Sequence, residues 1–360
     1  MNMKDVLDFY KGKRVFITGH TGFKGSWLCQ ILLQAGAEVW GYSLAPEQES
    51  LFTLAGLNKK VNSTLGDVRD FSSLKDTFKQ ADPEIVLHLA AQPIVRTSYK
   101  DPRYTYETNV MGTVNLLECV RSGKNVASVL NVTTDKVYCN NEWLWGYREI
   151  DPLDGFDPYS NSKSCSELVT HSYVKSFFQG KDAPAVSTAR AGNVIGGGDF
   201  APDRIIPDCV RAVKANCPIF VRNPNSIRPY QHVLEPLFAY LMIVKEQCAN
   251  KEVAGWYNVG PDEEDCVTTG QLVELFCKEW GDEACWEQKT EAVSPHEANF
   301  LMLDCSKIKR TFQWKPRWHI QQAVKETVHW SKTWMQGDDI VREMEREIVS
   351  FGRENDESME

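Results

Sequence analysis

Tyr159 and Lys163 stand four residues apart in DPYSNSK, the spacing that puts two side chains on one helical face, one turn apart. A phenol with a pKa near ~10 is a poor base at neutral pH, but a neighbouring ammonium stabilises the phenolate and lowers that value. Such a pair could take the proton of a hydroxyl as hydride leaves the same carbon. Upstream, a predicted strand ends in TTDKVY, which sets Thr134, Asp135 and Lys136 at one strand end. YxxxK alone is common in helices; its weight here comes from what surrounds it.

The first of those surroundings is GHTGFKGSWL, where Gly19, Gly22 and Gly25 recur every third residue. The run RVFIT (Arg14–Thr18) before them reads as a strand. The apolar positions Leu28, Ile31, Leu32 and Leu33 after them read as a helix. A first glycine permits the tight turn, a second lets backbone approach a pyrophosphate, and a third lets helix pack close to strand, with the helix N-terminus stabilising the charge. The spacing is GxxGxxG rather than GxGxxG, so the strand-turn-helix context carries the reading. Gly19, Gly22, Phe23, Lys24 and Gly25 are the candidate cofactor turn. The second predicted strand ends Trp40, Gly41, Tyr42, Ser43, with no carboxylate at the place, ~20 residues on, where one usually binds the adenosine ribose. Ser43 occupies it. No arginine lies between Arg14 and Arg69 to hold a 2′-phosphate, although Lys24 could reach one; NAD is favoured over NADP. Asp67 and Val68, after a third strand, are placed for the adenine edge, and Ala90, Ala91 and Gln92 close the fourth strand beside the cofactor.

These residues need a scaffold that brings strand ends together. Strand-length apolar runs at 37–44, 84–90 and 127–132 alternate with helical stretches such as 112–120, which predicts βαβ units. The fold class is α/β, a doubly wound parallel Rossmann-type sheet, with residues 1–190 as the cofactor domain. After Arg190 the pattern changes: three glycines fall together at 196–198 and prolines multiply, so 191–345 is expected to form a smaller, mixed substrate lobe. Within it Leu234, Leu237, Phe238, Leu241 and Met242 mark a helix face, and Thr268 with Gln271 reads as a capping box. The strand-like 255–260 is a candidate to return to the main sheet. From about Asp338 the charge-rich end is expected to form a helix that frays into a disordered tail, with 346–360 as the charged tail.

Composition bounds the rest. The 360 residues are 42% hydrophobic and 25% charged, values of a folded globular chain, and the net charge of −9 argues against a nucleic-acid binder. Eleven cysteines with no CxxC pair, behind a charged N-terminus, suggest reduced thiols in a cytoplasmic protein. No apolar run approaches the ~20 residues of a membrane span. No HxxxH or C-x₂-C spacing suggests a metal site. His88, on a buried-looking strand, reads as a hydrogen-bonded core histidine.

The motifs GHTGFKGSWL, LAAQP, ETNVMGTVNLLE, TTDKVY, YSNSK, RAGNVIGGGDF, RIIPD and NSIRPYQHV together resemble the extended short-chain dehydrogenases/reductases. More narrowly the chain resembles their nucleotide-sugar 4,6-dehydratase group, in the branch that uses CDP-glucose. That resemblance covers almost the whole chain and implies an NAD-dependent enzyme. It implies oxidation at C4 of the hexose, loss of water across C5 and C6, and return of hydride to C6. It assigns Thr134 to the C4 oxygen beside Tyr159, Asp135 to protonation of the departing C6 hydroxyl, and Lys163 to tuning Tyr159. Lys136 stands where dTDP-glucose enzymes carry a glutamate base. It could act as a base if burial lowered its pKa, or stay cationic and stabilise the C4 enolate. Arg228 is the family's phosphate-binding position and Asn193 meets the substrate; Arg204 is a second phosphate candidate, since arginine suits phosphate oxygens. Tyr230 could stack on a base or serve as an interior tyrosine. The family is usually dimeric, so a homodimer or higher homo-oligomer is expected. Two other readings stay open: a 4-epimerase or reductase on the same fold, and a cofactor-bound sensor without catalysis.

Overall fold

The computed structural model describes residues 3–281, 284–289 and 300–353. Six strands of the first half, β1 (Arg14–Thr18), β2 (Glu38–Ser43), β3 (Asn62–Leu65), β4 (Ile85–His88), β5 (Ser128–Val132) and β6 (Ala185–Ala191), are joined by β11 (Trp256–Val259) in one sheet. The order across it is β11-β6-β5-β4-β1-β2-β3, and every pairing is parallel. Such a sheet is covered on both faces, which is why β4, β5 and β6 are buried at every position. Strand order reverses direction between β1 and β4, and ligands of open α/β sheets bind in the crevice above the carboxyl ends at that switch point. The expected return of 255–260 to the main sheet is observed, with Tyr257 opposite Ala189.

Four helices matter to that crevice: α1 (Phe23–Gln34) after the glycine turn, α2 (Phe71–Ala81), α3 (Gly112–Ser122) and α4 (Pro158–Phe177). The α3 turn predicted from 112 onward is preceded by a π-helical turn, Glu107–Met111, which carries Asn109 into the interior. The helix α4 starts where Asp157 accepts from the Ser160 amide at 3.0 Å and Pro158 fills its first turn.

Beyond β6 the short strands β7 (Val194–Ile195), β8 (Ile219–Val221), β9 (Ile227–Arg228) and β10 (Gln231–His232) form small pairings. β7 pairs with β10, β9 with β12 (Val267–Thr268), and β8 with β13 (Trp286–Gln288). Between them α5 (Ile205–Lys214) and α6 (Leu234–Ala249) alternate with the strands, and α7 (Thr269–Trp280) carries the predicted Thr268–Gln271 capping box. α6 lies against β5 and β6, and the buried Gln247 near its end donates to Ser128 Oγ and to the Val129 carbonyl. Trp27 of α1, fully buried, donates its Nε1–H to the Gly197 carbonyl at 2.9 Å and so ties the glycine-turn helix to the second half. A core tryptophan of this kind is worth about 3–5 kcal/mol against alanine.

One expectation is corrected here. Residues 346–353 are not tail: they complete α9 (Ile340–Arg353), which follows α8 (Ile320–Gln336) and buries Ile340, Met344, Ile348 and Phe351. Phe351 stacks on Phe238 and meets Trp318 edge-on, and Gln30 of α1 donates to Glu345. The charges that suggest a solvated tail occupy the other face or pair internally, as Arg346 does with Glu326 and Glu343. The rest of the expected tail, 354–360, lies outside the described residues.

Candidate active site

A cavity of about 1620 Å³ opens at the carboxyl ends of β1, β4, β5 and β6. Gly19, at φ 80°, makes the turn at the end of β1, and a Cβ there would lie 2.7 Å from the Ala90 nitrogen. A Cβ on Gly25 would lie 2.1 Å from the Gly19 carbonyl oxygen, so this glycine sets how closely α1 packs on the turn. Gly22 differs: its nearest neighbour would be 3.5 Å away, and it caps α1 with no side chain of its own. The amides of the first helical turn are thus unscreened by a capping side chain, at the positive end of the helix dipole, which fits a pyrophosphate.

At the far end of this trough Ser43 pairs with Thr21 at 2.8 Å and both face the cavity. Asp67 and Val68 line it too, with the Asp67 carboxylate gripped by Arg69 Nη2 at 2.6 Å, a contact that lowers its pKa. Ala90 and Ala91 form the opposite wall. A hydroxyl and a carboxylate at one end, bare helix amides in the middle and Lys163 at the other end suit an extended dinucleotide. Gln92, expected beside them, turns away: its Nε2 donates to Thr105, its Oε1 accepts from the Ile94 amide, and its own amide donates to Asn109. Lys24, considered for a 2′-phosphate, lies instead among Lys163, Asp135, Lys136 and Arg204, and burial with the neighbouring cations lowers it to about 7.

Tyr159, Lys163, Thr134 and Lys136 all line the same cavity. Tyr159 and Lys163 are 8% and 5% exposed. The Lys163 ammonium donates to the Val132 carbonyl at 3.0 Å, and burial lowers it to about 8 against the opposing charge of Glu167. The phenol is not pre-ionised by Lys163 as the spacing suggests: burial raises Tyr159 to about 12, with only the adjoining Thr134 hydroxyl and Arg204 opposing. Burial outweighs the neighbouring cation, so proton abstraction by Tyr159 needs more positive charge than these side chains provide.

Asp135 is fully buried and does not reach the cavity wall; its Oδ1 accepts from Thr134 at 2.9 Å and from Lys136 at 3.2 Å. Its Oδ2 is buried with no hydrogen-bond partner. Lys136 Nζ also donates to Asn193 Oδ1 at 3.0 Å, which joins the ends of β5 and β6. In this arrangement Lys136 presents a donor held between two oxygens.

Arg204 and Arg228 both line the cavity, Arg204 paired with Asp199 at 2.8 Å and Arg228 donating to the Ile227 carbonyl at 2.9 Å. Tyr230 borders the cavity but is buried, with its hydroxyl on Thr269 at 3.1 Å, the interior use considered for it. His88 is a core residue, bonded to Thr18 and Thr113 and lowered to about 3 by burial. Sequence reasoning passed over Arg96, Asp203, Phe220, Arg222 and Lys289, all of which line the cavity. Asp203 lies 3.4 Å from Arg222 and 3.8 Å from Arg96, a junction of three distant segments that no local spacing announces. Phe220 and Arg222 stand within ten residues of Arg228, and that proximity was their one available signal.

Against known proteins, a family model described as GDP-mannose 4,6 dehydratase matches residues 16–327. A CDP-glucose 4,6-dehydratase from Salmonella typhimurium is 48% identical over 351 residues, 96% of this chain and 97% of its own. Among solved structures, the dTDP-glucose 4,6-dehydratase of Bacillus anthracis in complex with NAD superposes with a TM-score of 0.75 at 22% identity, over 91% of this chain and 99% of that one. A UDP-glucose 4-epimerase from Stenotrophomonas maltophila with bound NAD gives 0.79 at 19% identity, over 90% and 99%. Both structural likenesses speak to the fold. With the model match over most of its length, the chain belongs to the GDP-mannose 4,6 dehydratase family of extended short-chain dehydrogenases/reductases.

Proposed function

We propose that the protein is an NAD-dependent lyase that converts CDP-D-glucose to CDP-4-keto-6-deoxy-D-glucose. The observation that carries the reading is the convergence of Thr134, Lys136, Tyr159 and Lys163 on one wall of the cavity, beside a glycine turn suited to a dinucleotide. The 48% identity to a CDP-glucose 4,6-dehydratase over nearly the full chain supports the substrate.

Gly22, Phe23, Ser43, Asp67 and Lys163 would hold NAD, which when bound supplies a hydride acceptor and donor together with a positive charge. Thr134 and Tyr159 would then face the C4 oxygen, with Tyr159 taking its proton and Lys163 stabilising the phenolate. A keto group at C4 acidifies the C5 hydrogen. Lys136 would take that proton or stabilise the resulting enolate. Asp135, below the wall, would reach the C6 hydroxyl through Thr134 or Lys136 rather than directly. Arg204 and Arg228 would bind the diphosphate, Asn193 the sugar and Tyr230 the nucleoside side of the pocket. On this reading the sheet half serves the cofactor and the 191–345 half serves the sugar nucleotide.

No helix among the described residues is long and apolar enough to cross a membrane. From the family resemblance we propose a cytoplasmic enzyme that forms a homodimer or higher homo-oligomer. A 4-epimerase would need Tyr159 and Lys163 but no polar pair at C5 and C6, and the Asp135–Lys136 pair favours dehydration. The test is to incubate the protein with NAD and CDP-, dTDP-, GDP- or UDP-hexoses and follow mass. Loss of one water from the CDP-hexose alone is expected; a product that keeps its oxygen count refutes the proposal.

A further inference from the structure

We propose that Glu167 is a positioning residue of the active site, which docks the catalytic helix on the strand end carrying Thr134, Asp135 and Lys136 and places a negative charge beneath Lys163. The proposal rests on the dehydratase reading.

Glu167 follows Lys163 by one helical turn and Tyr159 by two, so the three share one stripe of α4. It is fully buried, yet four donors satisfy it: Thr133 Oγ1 at 2.5 Å, Thr188 Oγ1 at 2.7 Å, Arg190 Nη2 at 2.9 Å and His171 Nε2 at 3.2 Å. Burying a carboxylate is expensive, and one that takes no part in packing apolar surface needs another reason to be there. Thr133 supplies one. It immediately precedes Thr134, and its amide continues the β5–β6 ladder to Ala189. The Thr133 hydroxyl therefore locks the end of β5 to the helix that presents Tyr159. Lys163 on the Val132 carbonyl and Asn131 on Ser166 and Thr170 also tie this helix to β5, and the Thr133 hydroxyl is the link that adjoins Thr134 itself.

The second reason is charge. Lys163 faces Lys24 from the glycine turn and His88 from β4, and Glu167 is the acid that opposes burial of its ammonium. Around Glu167 itself stand Arg190 from β6 and His171 from α4, and Arg190 reaches Tyr138 at 2.9 Å. Removing the carboxylate leaves Lys163 buried with cations and a neutral histidine, so its ammonium is lost at lower pH.

The experiment measures kcat against pH at saturating NAD and CDP-glucose for the wild type, Glu167→Gln, Thr133→Val and Thr133→Ser. Glu167→Gln strands the buried Arg190, so the charge-balanced Glu167→Gln/Arg190→Met is made beside it and folding is checked by circular dichroism. In whichever charge variant folds, the basic limb of the profile is expected about one pH unit lower. Thr133→Val is expected to lower kcat about tenfold with KM and the limb unchanged, as loss of alignment in the transition state requires, and Thr133→Ser to restore it. A folded charge variant with the wild-type limb, or Thr133→Val at wild-type kcat, overturns the role of Glu167. Wild-type turnover is measured first; its absence overturns the functional reading and this one with it.

Discussion

Gly25→Ala and Gly22→Ala make a matched pair in one turn: both should weaken NAD binding, and the geometry lets only the first lower Tm. An alanine Cβ at 25 would sit 2.1 Å from the Gly19 carbonyl oxygen and 2.7 Å from the His20 Cα, more than an ångström inside ordinary contact with the oxygen. Both neighbours are backbone, so no side chain can swing aside; α1 must lift from the turn. Overpacking of this sort costs about 1–3 kcal/mol, or a Tm lower by a few degrees at about 2 °C per kcal/mol. Lifting the helix also moves its amides, so NAD binding should weaken about tenfold for each 1.4 kcal/mol of lost contact. At 22 the nearest atom would be 3.5 Å away and φ is −76°, so alanine is accommodated and Tm should hold. Its methyl would instead enter the space proposed for the pyrophosphate. Differential scanning fluorimetry and titration calorimetry with NAD read both quantities. Wild-type Tm and affinity in Gly25→Ala would refute the packing argument. Unchanged NAD affinity in Gly22→Ala would refute the placement of the cofactor.

Other outcomes follow from single groups. Lys136→Met should slow solvent exchange of the C5 hydrogen in deuterated water; exchange at the wild-type rate would move the base elsewhere. Arg228→Met should raise the Kd for CDP-glucose by about ten- to a hundredfold, the value of a hydrogen bond to a charged group, while leaving NAD affinity alone. Glu235, buried and accepting from the Arg317 and Trp318 amides, is raised to about 7 by burial. A carboxyl raised in the fold adds stability that is fully present below its unfolded pKa and is lost as pH rises from about 4.5 through 7. Glu235→Gln keeps an acceptor without titrating, so it should match the wild type near pH 4 and exceed it by roughly 3 kcal/mol at pH 8 in urea unfolding.

Elements whose cause is local could be read from the chain. The glycine turn, the strand ends at 43, 67–68 and 90–91 and the Tyr159–Lys163 face declare themselves within a few residues, and each lines the cavity. What escaped depends on burial or on distant partners. Gln92 and Asp135 sit in the right segments but point into hydrogen-bond knots with Asn109 and Thr134 that spacing does not reveal. Tyr159 illustrates the same limit in energy: the pattern supplies the cation, while only the packed structure shows how strongly burial opposes it. The helix at the C-terminal end is legible, but its extent to Arg353 and its burial are not, because its buried residues are interleaved with charges that pair across the interface.

The return of β11 to the main sheet bears on how this chain could be divided. Every residue of β6 is buried, and β11 covers the outer hydrogen-bonding side of that strand. A fragment ending at 190 would expose β6, whose one charge is Arg190, as an open sheet edge, a template for intermolecular pairing. The cofactor half is therefore not a separable module. Expressed alone it should aggregate, and the later half acts, through four residues, as the guard that keeps the sheet from growing.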